Sequence, residues 1–311
     1  MGSPATASDT AAREQGQARL RGIALMSAAN FFFASIDATA KFLIHDMNSL
    51  QVTWARFAGA FAAALFLTNI VFKPERMRTE RPWLQLIRSA MIAAANTMMV
   101  FAFHFLQLDQ TVSIMFTVPF IVAGLAVPLL GERIGPRRWM AIATGFCGVL
   151  LVMRPGMGGI HPAAVLCLLS AVTYSFYSIL TRILSRTDSS ATTLFYTNVV
   201  GVLALSAVVP FVWTTPTPRD AALMAIMGTL ATFGHFLLIM AHRLAPASIL
   251  SPFMYTQLIW MIFYGYVVFA DLPSRWTLAG AGVVIGSGLY LLYRERKVKG
   301  PDAPVSGDPV A

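Results

Sequence analysis

The stretch SIDATAKFL, Ser35–Leu43, sets an acid, Asp37, and a base, Lys41, four residues apart inside an apolar segment running from about Ile23 to Ile44. Four residues is close to one helical turn, so on a helix both side chains share a face, and Asn30, two turns before Asp37, joins them. A segment of this length spans the roughly 30 Å hydrocarbon core of a bilayer, where charged side chains turn toward protein or a watery cavity and away from lipid. Such a face needs neighbours, and the rest of the chain has to supply them.

Working outward, apolar runs of the same kind recur at 22–44, 51–72, 83–106, 110–130, 137–153, 160–181, 191–213, 220–241, 247–269 and 275–293. The chain has 311 residues, 57% hydrophobic and 12% charged, with mean hydropathy +0.66. A soluble domain carries about twice that charged share. The expected fold class is an all-α integral membrane protein of ten transmembrane helices. KPERMRTERP before Trp83, ERIGPRR before the fifth span, RPGMGGIHP before the sixth and TTPTPRD before the eighth carry turn and helix-start chemistry. These connections are too short for an extramembrane domain. Residues 1–20 and 294–311 are polar and are expected to be disordered tails. A cleaved signal is not expected, because the first apolar run starts late, is long and contains Asp37 and Lys41.

The net charge of +9 is distributed unevenly. Counted by alternate loops, Arg and Lys gather on one side, from Arg13, Arg19 and Arg21 through Arg88, Arg133 and Arg182 to Lys297 and Lys299, with Arg154, Arg219 and Arg275 opposite. The positive-inside rule then puts both termini in the cytoplasm and the protein in a cell inner membrane as a multi-pass chain. The basic balance records insertion and contact with anionic lipid, not nucleic acid. Cys147 and Cys167 sit inside spans and fit ordinary packing.

Shifting the chain against itself by roughly 140 residues aligns NFFFASIDATAK with TYSFYSILTR, which brings Lys41 near Arg182. DQTVSIMFTVPFIV then meets PASILSPFMYTQLI, and the corners GERIGPRRW and FADLPSRW coincide near Glu132 and Asp271. Five spans per half is an odd number, so residues 21–153 and 154–293 are expected to form two inverted five-helix repeats, the plan of secondary transporters with a site between the halves.

The GER corner at Gly131, Glu132 and Arg133, the segment Pro246 to Trp260 and the small-residue-rich Thr277 to Glu295 resemble the drug/metabolite transporter superfamily, in its EamA-type branch. The resemblance covers nearly the whole chain outside the tails. It implies a secondary transporter of small organic solutes, in a family that includes exporters of amino acids and importers of riboflavin or S-adenosylmethionine. It also implies a central cavity lined mainly by the first, third, fourth, sixth, eighth and ninth helices. One departure is Pro119 in the fourth span, where the ninth has Thr256 or Gln257.

The candidate substrate-binding or coupling residues are Asn30, Asp37, Lys41, Arg56, Asn96, His104, Thr117, Tyr174, Tyr177, His235, Gln257 and Trp260. Lys41 suits a carboxylate, and Asp37 suits an ammonium group or a coupling proton. The plainer alternative is an i, i+4 ion pair between the two. Arg56 has Asp37 or Asp46 as prospective partners, or else lies at the interface. His104 and His235 are proton-relay candidates against a simpler role as hydrogen-bonded packing residues. Ser113, Phe116 and Thr117, then Thr173, Tyr174, Tyr177 and Ser178, then Phe253, Gln257, Trp260 and Tyr264 recur at helical spacing and would hold a planar or amphipathic metabolite by stacking. Their alternative is aromatic packing with hydroxyls bonded to backbone. Gly145, Gly148, Gly280, Gly282, Gly286 and Gly288 are expected at close helix contacts.

No GxxxxGK, HExxH, CxxC or GxSxG motif is present, so no cofactor, metal or catalytic residue is expected. The expected partners are a small-molecule substrate and membrane lipids, with a homodimer as a compatible assembly. A secondary active transporter of a zwitterionic, amino-acid-like or heteroaromatic metabolite is the leading function. A membrane-embedded enzyme or accessory subunit acting on a lipid-linked substrate is the alternative.

Overall fold

A computed structural model describes residues 7–68, 77–130, 136–153, 161–184, 187–245 and 250–299. The GER corner, the PGMGG turn, Lys73 to Arg76 and Pro246 to Ser248 lie outside the described residues, as does the Arg182 side chain. The described residues are helical, without strands. They form α1 (Ala7–Leu43), α2 (Ser49–Thr68), α3 (Pro82–Ala102), α4 (Leu108–Met115), α5 (Val118–Leu130) and α6 (Pro136–Met153). There follow α7 (Pro162–Leu184), α8 (Ser190–Val208), α9 (Pro218–Leu244), α10 (Thr256–Phe269) and α11 (Arg275–Lys299).

Proline opens α3, α6, α7 and α9, where its missing N–H leaves no bond unmade. Ser189 caps α8 by accepting from the Thr192 amide at 3.1 Å, and Thr217 with Asp220 forms a capping box on α9. Helix α1 begins at Ala7 and α11 runs to Lys299, so helix enters both stretches expected as tails. Ala, Glu, Gln, Arg and Lys in those stretches are strong helix formers.

The fourth expected span is two helices. Pro119 has no N–H to return to Met115, and α4 ends at Met115. Thr117 bridges the gap, its hydroxyl donating to the Ile114 carbonyl at 2.7 Å. The ninth span is also interrupted, entering α10 through a 3-10 turn at Ser251–Tyr255. Unwound backbone of this kind sits in membrane proteins where protein or a cavity covers it.

By length and composition, Gly16–Leu43, Pro82–Ala102, Leu108–Leu129, Pro162–Thr181, Ala191–Phe211 and Pro218–Leu238 can cross a membrane. Trp139–Met153 and Phe253–Phe269 are shorter apolar helices. Phe66, Leu203, Phe211 and Ile259 are 86, 66, 87 and 63% exposed. An apolar outer surface of that extent is what lipid solvates. Trp83, Trp213 and Trp276 stand exposed near helix ends, as aromatic belts do.

Helices from the first stretch, α1–α6, pack mainly on helices from the second, α7–α11. Helix α1 lies on α9 and α10, α2 on α8 and α9, α3 on α7 and α8, and α6 on α11. Two of these contacts are set by glycine. A Cβ on Gly148 would meet the Gly280 carbonyl oxygen at 2.8 Å, as the sequence suggests, and one on Gly59 would meet the Gly228 Cα at 2.6 Å. Gly145 packs against Phe120 and Gly288 against Tyr255, whereas Gly282 and Gly286 face open space.

Candidate functional site

The polar face of α1 is paired along its length, mostly to other helices. Asn30, buried, donates from Nδ2 to the Phe253 carbonyl at 2.8 Å and to Thr256 Oγ1 at 3.0 Å. It thereby holds the 3-10 entry of α10. One turn on, Ser35 meets the Tyr264 hydroxyl at 2.7 Å. Asp37 Oδ1 accepts from Arg56 Nη1 of α2 at 3.0 Å, with the two side chains 10% and 20% exposed. Lys41 Nζ lies 3.0 Å from Asp271 Oδ2, beyond α10, and 3.3 Å from the Leu106 carbonyl, over the Phe269 ring. The i, i+4 alternative therefore fails: Asp37 and Lys41 each take a different partner, because Arg56 and Asp271 stand closer to their ends. Asp46 pairs instead with its exposed neighbour His45.

Two aromatic walls flank this face. Phe31 meets Trp260 edge-on at 5.0 Å and lies 5.9 Å from Tyr264. Tyr174 and Tyr177 of α7 sit 5.4 Å apart beside Trp54 and Phe57 of α2. His235 on α9 stacks edge-on to Phe33 at 5.0 Å and bonds through Nδ1 to the Ala231 carbonyl at 2.7 Å. Gln257, half-buried on α10, makes no side-chain hydrogen bond among the described residues. Asn96, half-buried on α3, bonds only its own helix among the described residues, Nδ2 to the Ile92 carbonyl at 2.9 Å.

Other candidates are placed apart. Thr117 is buried and committed to the α4–α5 break. His104 lies beyond α3, bonded to Ser49 at 2.8 Å. With Lys41, His45, Asp46, Phe103 and Phe269 it lines a cavity of about 410 Å³ at the Lys41 end of the bundle. The hydroxyls of Ser113, Thr173 and Ser178 donate to carbonyls of their own helices, Asp109, Leu169 and Tyr174, at 2.6, 2.8 and 3.0 Å. Of the proposed stripes the rings remain as walls, while these hydroxyls are spent on backbone.

Arg88, expected among the loop cations, is completely buried. Nε donates to Gln85 Oε1 at 3.1 Å, Nη1 to Thr181 Oγ1 at 3.3 Å, and Nη2 to the Thr193 carbonyl at 2.6 Å and Thr197 Oγ1 at 2.9 Å. Its guanidinium covers the Tyr177 ring at 5.2 Å, and Gln85 passes the link to Asp188 at 2.6 Å. Sequence reasoning also missed Gln51, buried, which exchanges hydrogen bonds with the Thr214 backbone at 2.7 and 2.8 Å. An amide or guanidinium flanked by apolar residues near a span end was the available signal for both.

Charge pairs beside aromatic walls, in a helical bundle whose surface suits lipid, define a membrane protein with a polar strip inside it. The EamA-like transporter family profile matches residues 20–154 and again 161–294, and the chain belongs to that family. It is 24% identical over 262 residues to an S-adenosylmethionine uptake transporter of Rickettsia prowazekii (strain Madrid E), covering 84% of this chain and 88% of the relative. It is 29% identical over 285 residues to a riboflavin transporter of Rhizobium johnstonii, covering 89% and 92%. A crystal structure of a 13% identical protein superposes with a TM-score of 0.61 over 90% of this chain and 98% of the other, which supports the fold. Family and relatives are transporters, not enzymes, and the lipid-linked enzyme alternative falls.

Proposed function

We propose that the protein is a secondary active transporter, exporter or importer, of a small zwitterionic, amino-acid-like or heteroaromatic metabolite, working by alternating access. In this reading ten spans form two inverted five-helix repeats, 21–153 and 154–293, with both termini cytoplasmic, in a cell inner membrane. The observation that carries it is the polar face of α1. Lys41 and Asn30 bind the second profile match at Asp271, Phe253 and Thr256, so rocking one half against the other breaks and remakes bonds in this strip.

The substrate class is supported by both charge signs beside aromatic rings. Opening the Asp37–Arg56 pair offers a carboxylate to an ammonium group and a bidentate guanidinium to a carboxylate. Trp260, Tyr264, Tyr174 and Tyr177 offer stacking faces, and Asn96, His235 and Gln257 polar groups for orientation. The relatives named for S-adenosylmethionine and riboflavin carry heteroaromatic solutes, in line with those walls.

The test is counterflow in proteoliposomes preloaded in turn with S-adenosylmethionine, riboflavin and amino acids, with the matching labelled solute outside. Label accumulating above empty liposomes for one of them is expected. Folded protein that accumulates none of them, while inorganic ions exchange, would overturn the substrate class.

A further inference from the structure

Asp109 opens α4 in the chain's first half and is 4% exposed. The amides of Asp109 and Gln110 at the start of the helix interact with its carboxylate. Its Oδ2 has no hydrogen-bond partner, and among the described residues no other buried side-chain oxygen or nitrogen is left so. The charged groups that reach it are Lys41 of α1 and Asp271 beyond α10. Lys41 is already engaged by Asp271 and by the Leu106 carbonyl.

The Lys41 ammonium is therefore paired with Asp271, and Asp109 keeps an oxygen that is unserved and shut away from water. Among the described residues the neighbouring helices bring no further cation, and on α6 the titratable Cys147 is exposed. On α7, Cys167 lies 3.6 Å from the Thr111 carbonyl; on α10, Tyr264 bonds Ser35; on α11, Arg275 is exposed, over the ring of its neighbour Trp276. Tyr255 stacks on Phe116 at the far end of α4. A buried ionised carboxylate lacking a partner costs several kcal/mol, and the usual relief is to neutralise it.

We propose that Asp109 is a proton-binding site, carrying a proton while Lys41 is held by Asp271 and releasing it when Asp271 parts from Lys41. Lys41 and Asp109 belong to the first half and Asp271 to the second. Parting the halves at this end takes Asp271 away from Lys41, and the stranded ammonium needs a counter-charge. Asp109 supplies it by losing its proton to the water that enters: the carboxyl O–H breaks, the electron pair stays on the carboxylate, and the proton leaves as hydronium. Proton occupancy is thereby tied to the state of one end of the bundle, which deepens the transport reading by naming the coupled ion and rests on that reading for the coupling alone.

The experiment is infrared difference spectroscopy of the full chain in lipid nanodiscs, titrated with acid and base without substrate. At neutral pH a protonated-carboxyl C=O band, shifting in D2O, is expected; it disappears in Asp109→Asn and persists in Asp37→Asn. In Lys41→Met the band should persist to a pH higher by about one unit or more, since removing a nearby cation favours the neutral acid. No band at neutral pH, a band surviving Asp109→Asn, or one lost in Asp37→Asn overturns the site. If Asp109→Asn does not fold, the Lys41→Met titration decides, and an unshifted midpoint overturns it. The spectra need no substrate, so a failed proton site and a failed transport assignment are told apart by infrared and counterflow.

Discussion

Arg56 and Arg88 are both arginines within apolar helices, and the protein treats them oppositely. Arg56 meets one carboxylate and keeps 20% of its side chain exposed. Arg88 is fully buried and spreads its N–H groups over two threonine hydroxyls, a glutamine and a carbonyl, with the nearest carboxylate one residue removed through Gln85. A charge with every nitrogen hydrogen-bonded and no access is a clamp between α3, α7 and α8. A charge with one partner and residual access is able to exchange that partner.

That difference is open to test. Arg88→Met should strand the Thr193 carbonyl and Gln85 and cost about 3 kcal/mol or more, read as lost thermal stability in detergent. Arg88→Lys should rescue little, since an ammonium cannot reproduce the fork. Gly59→Val should overpack the α2–α9 crossing by about 1–3 kcal/mol in the same assay, because its Cβ would fall 2.6 Å from the Gly228 Cα. Asp37→Asn reverses the pattern: thermal stability should change less than in Arg88→Met, while initial flux of the identified substrate drops roughly tenfold or more. Equal effects of Asp37→Asn and Arg88→Met on both readouts would erase the distinction between the two arginines.

Smaller effects sharpen it further. A double-mutant cycle between Lys41→Gln and Asp271→Asn should give a stability coupling of about 1 kcal/mol or less, since these side chains are 14% and 28% exposed. His104→Ala, which removes a single bond to Ser49 at the rim, should stay within about 0.5 kcal/mol.

The α1 face was legible because spacing along one helix fixes direction: Asn30, Asp37 and Lys41 could only share a side. Arg56 was legible as a partner for Asp37, but the partners of Asn30 and Lys41 were not, since Thr256 and Asp271 lie more than 220 residues away in the chain and no local spacing encodes them. Arg88 was misplaced for a related reason. Counting charges by loop treats a cation near a span end as interfacial, and only the converging Thr181, Thr193 and Thr197 show that it is enclosed. Asp109 escaped notice as an acid at a helix start, an ordinary capping position until its unserved oxygen is seen. The Gly59–Gly228 crossing was hidden because isolated glycines stand out less than the cluster in α11, whose Gly282 and Gly286 touch nothing.

The central claim is that the two halves part where Lys41 meets Asp271, and a reversible cross-link tests it most directly. Exposed Cys147 and buried Cys167 are first replaced, and cysteines at positions 41 and 271 are joined by a short bifunctional thiol reagent in proteoliposomes. The cross-linked protein should stop counterflow of its substrate, and reduction should restore it relative to the untreated double variant. Full counterflow with the link in place would contradict the claim.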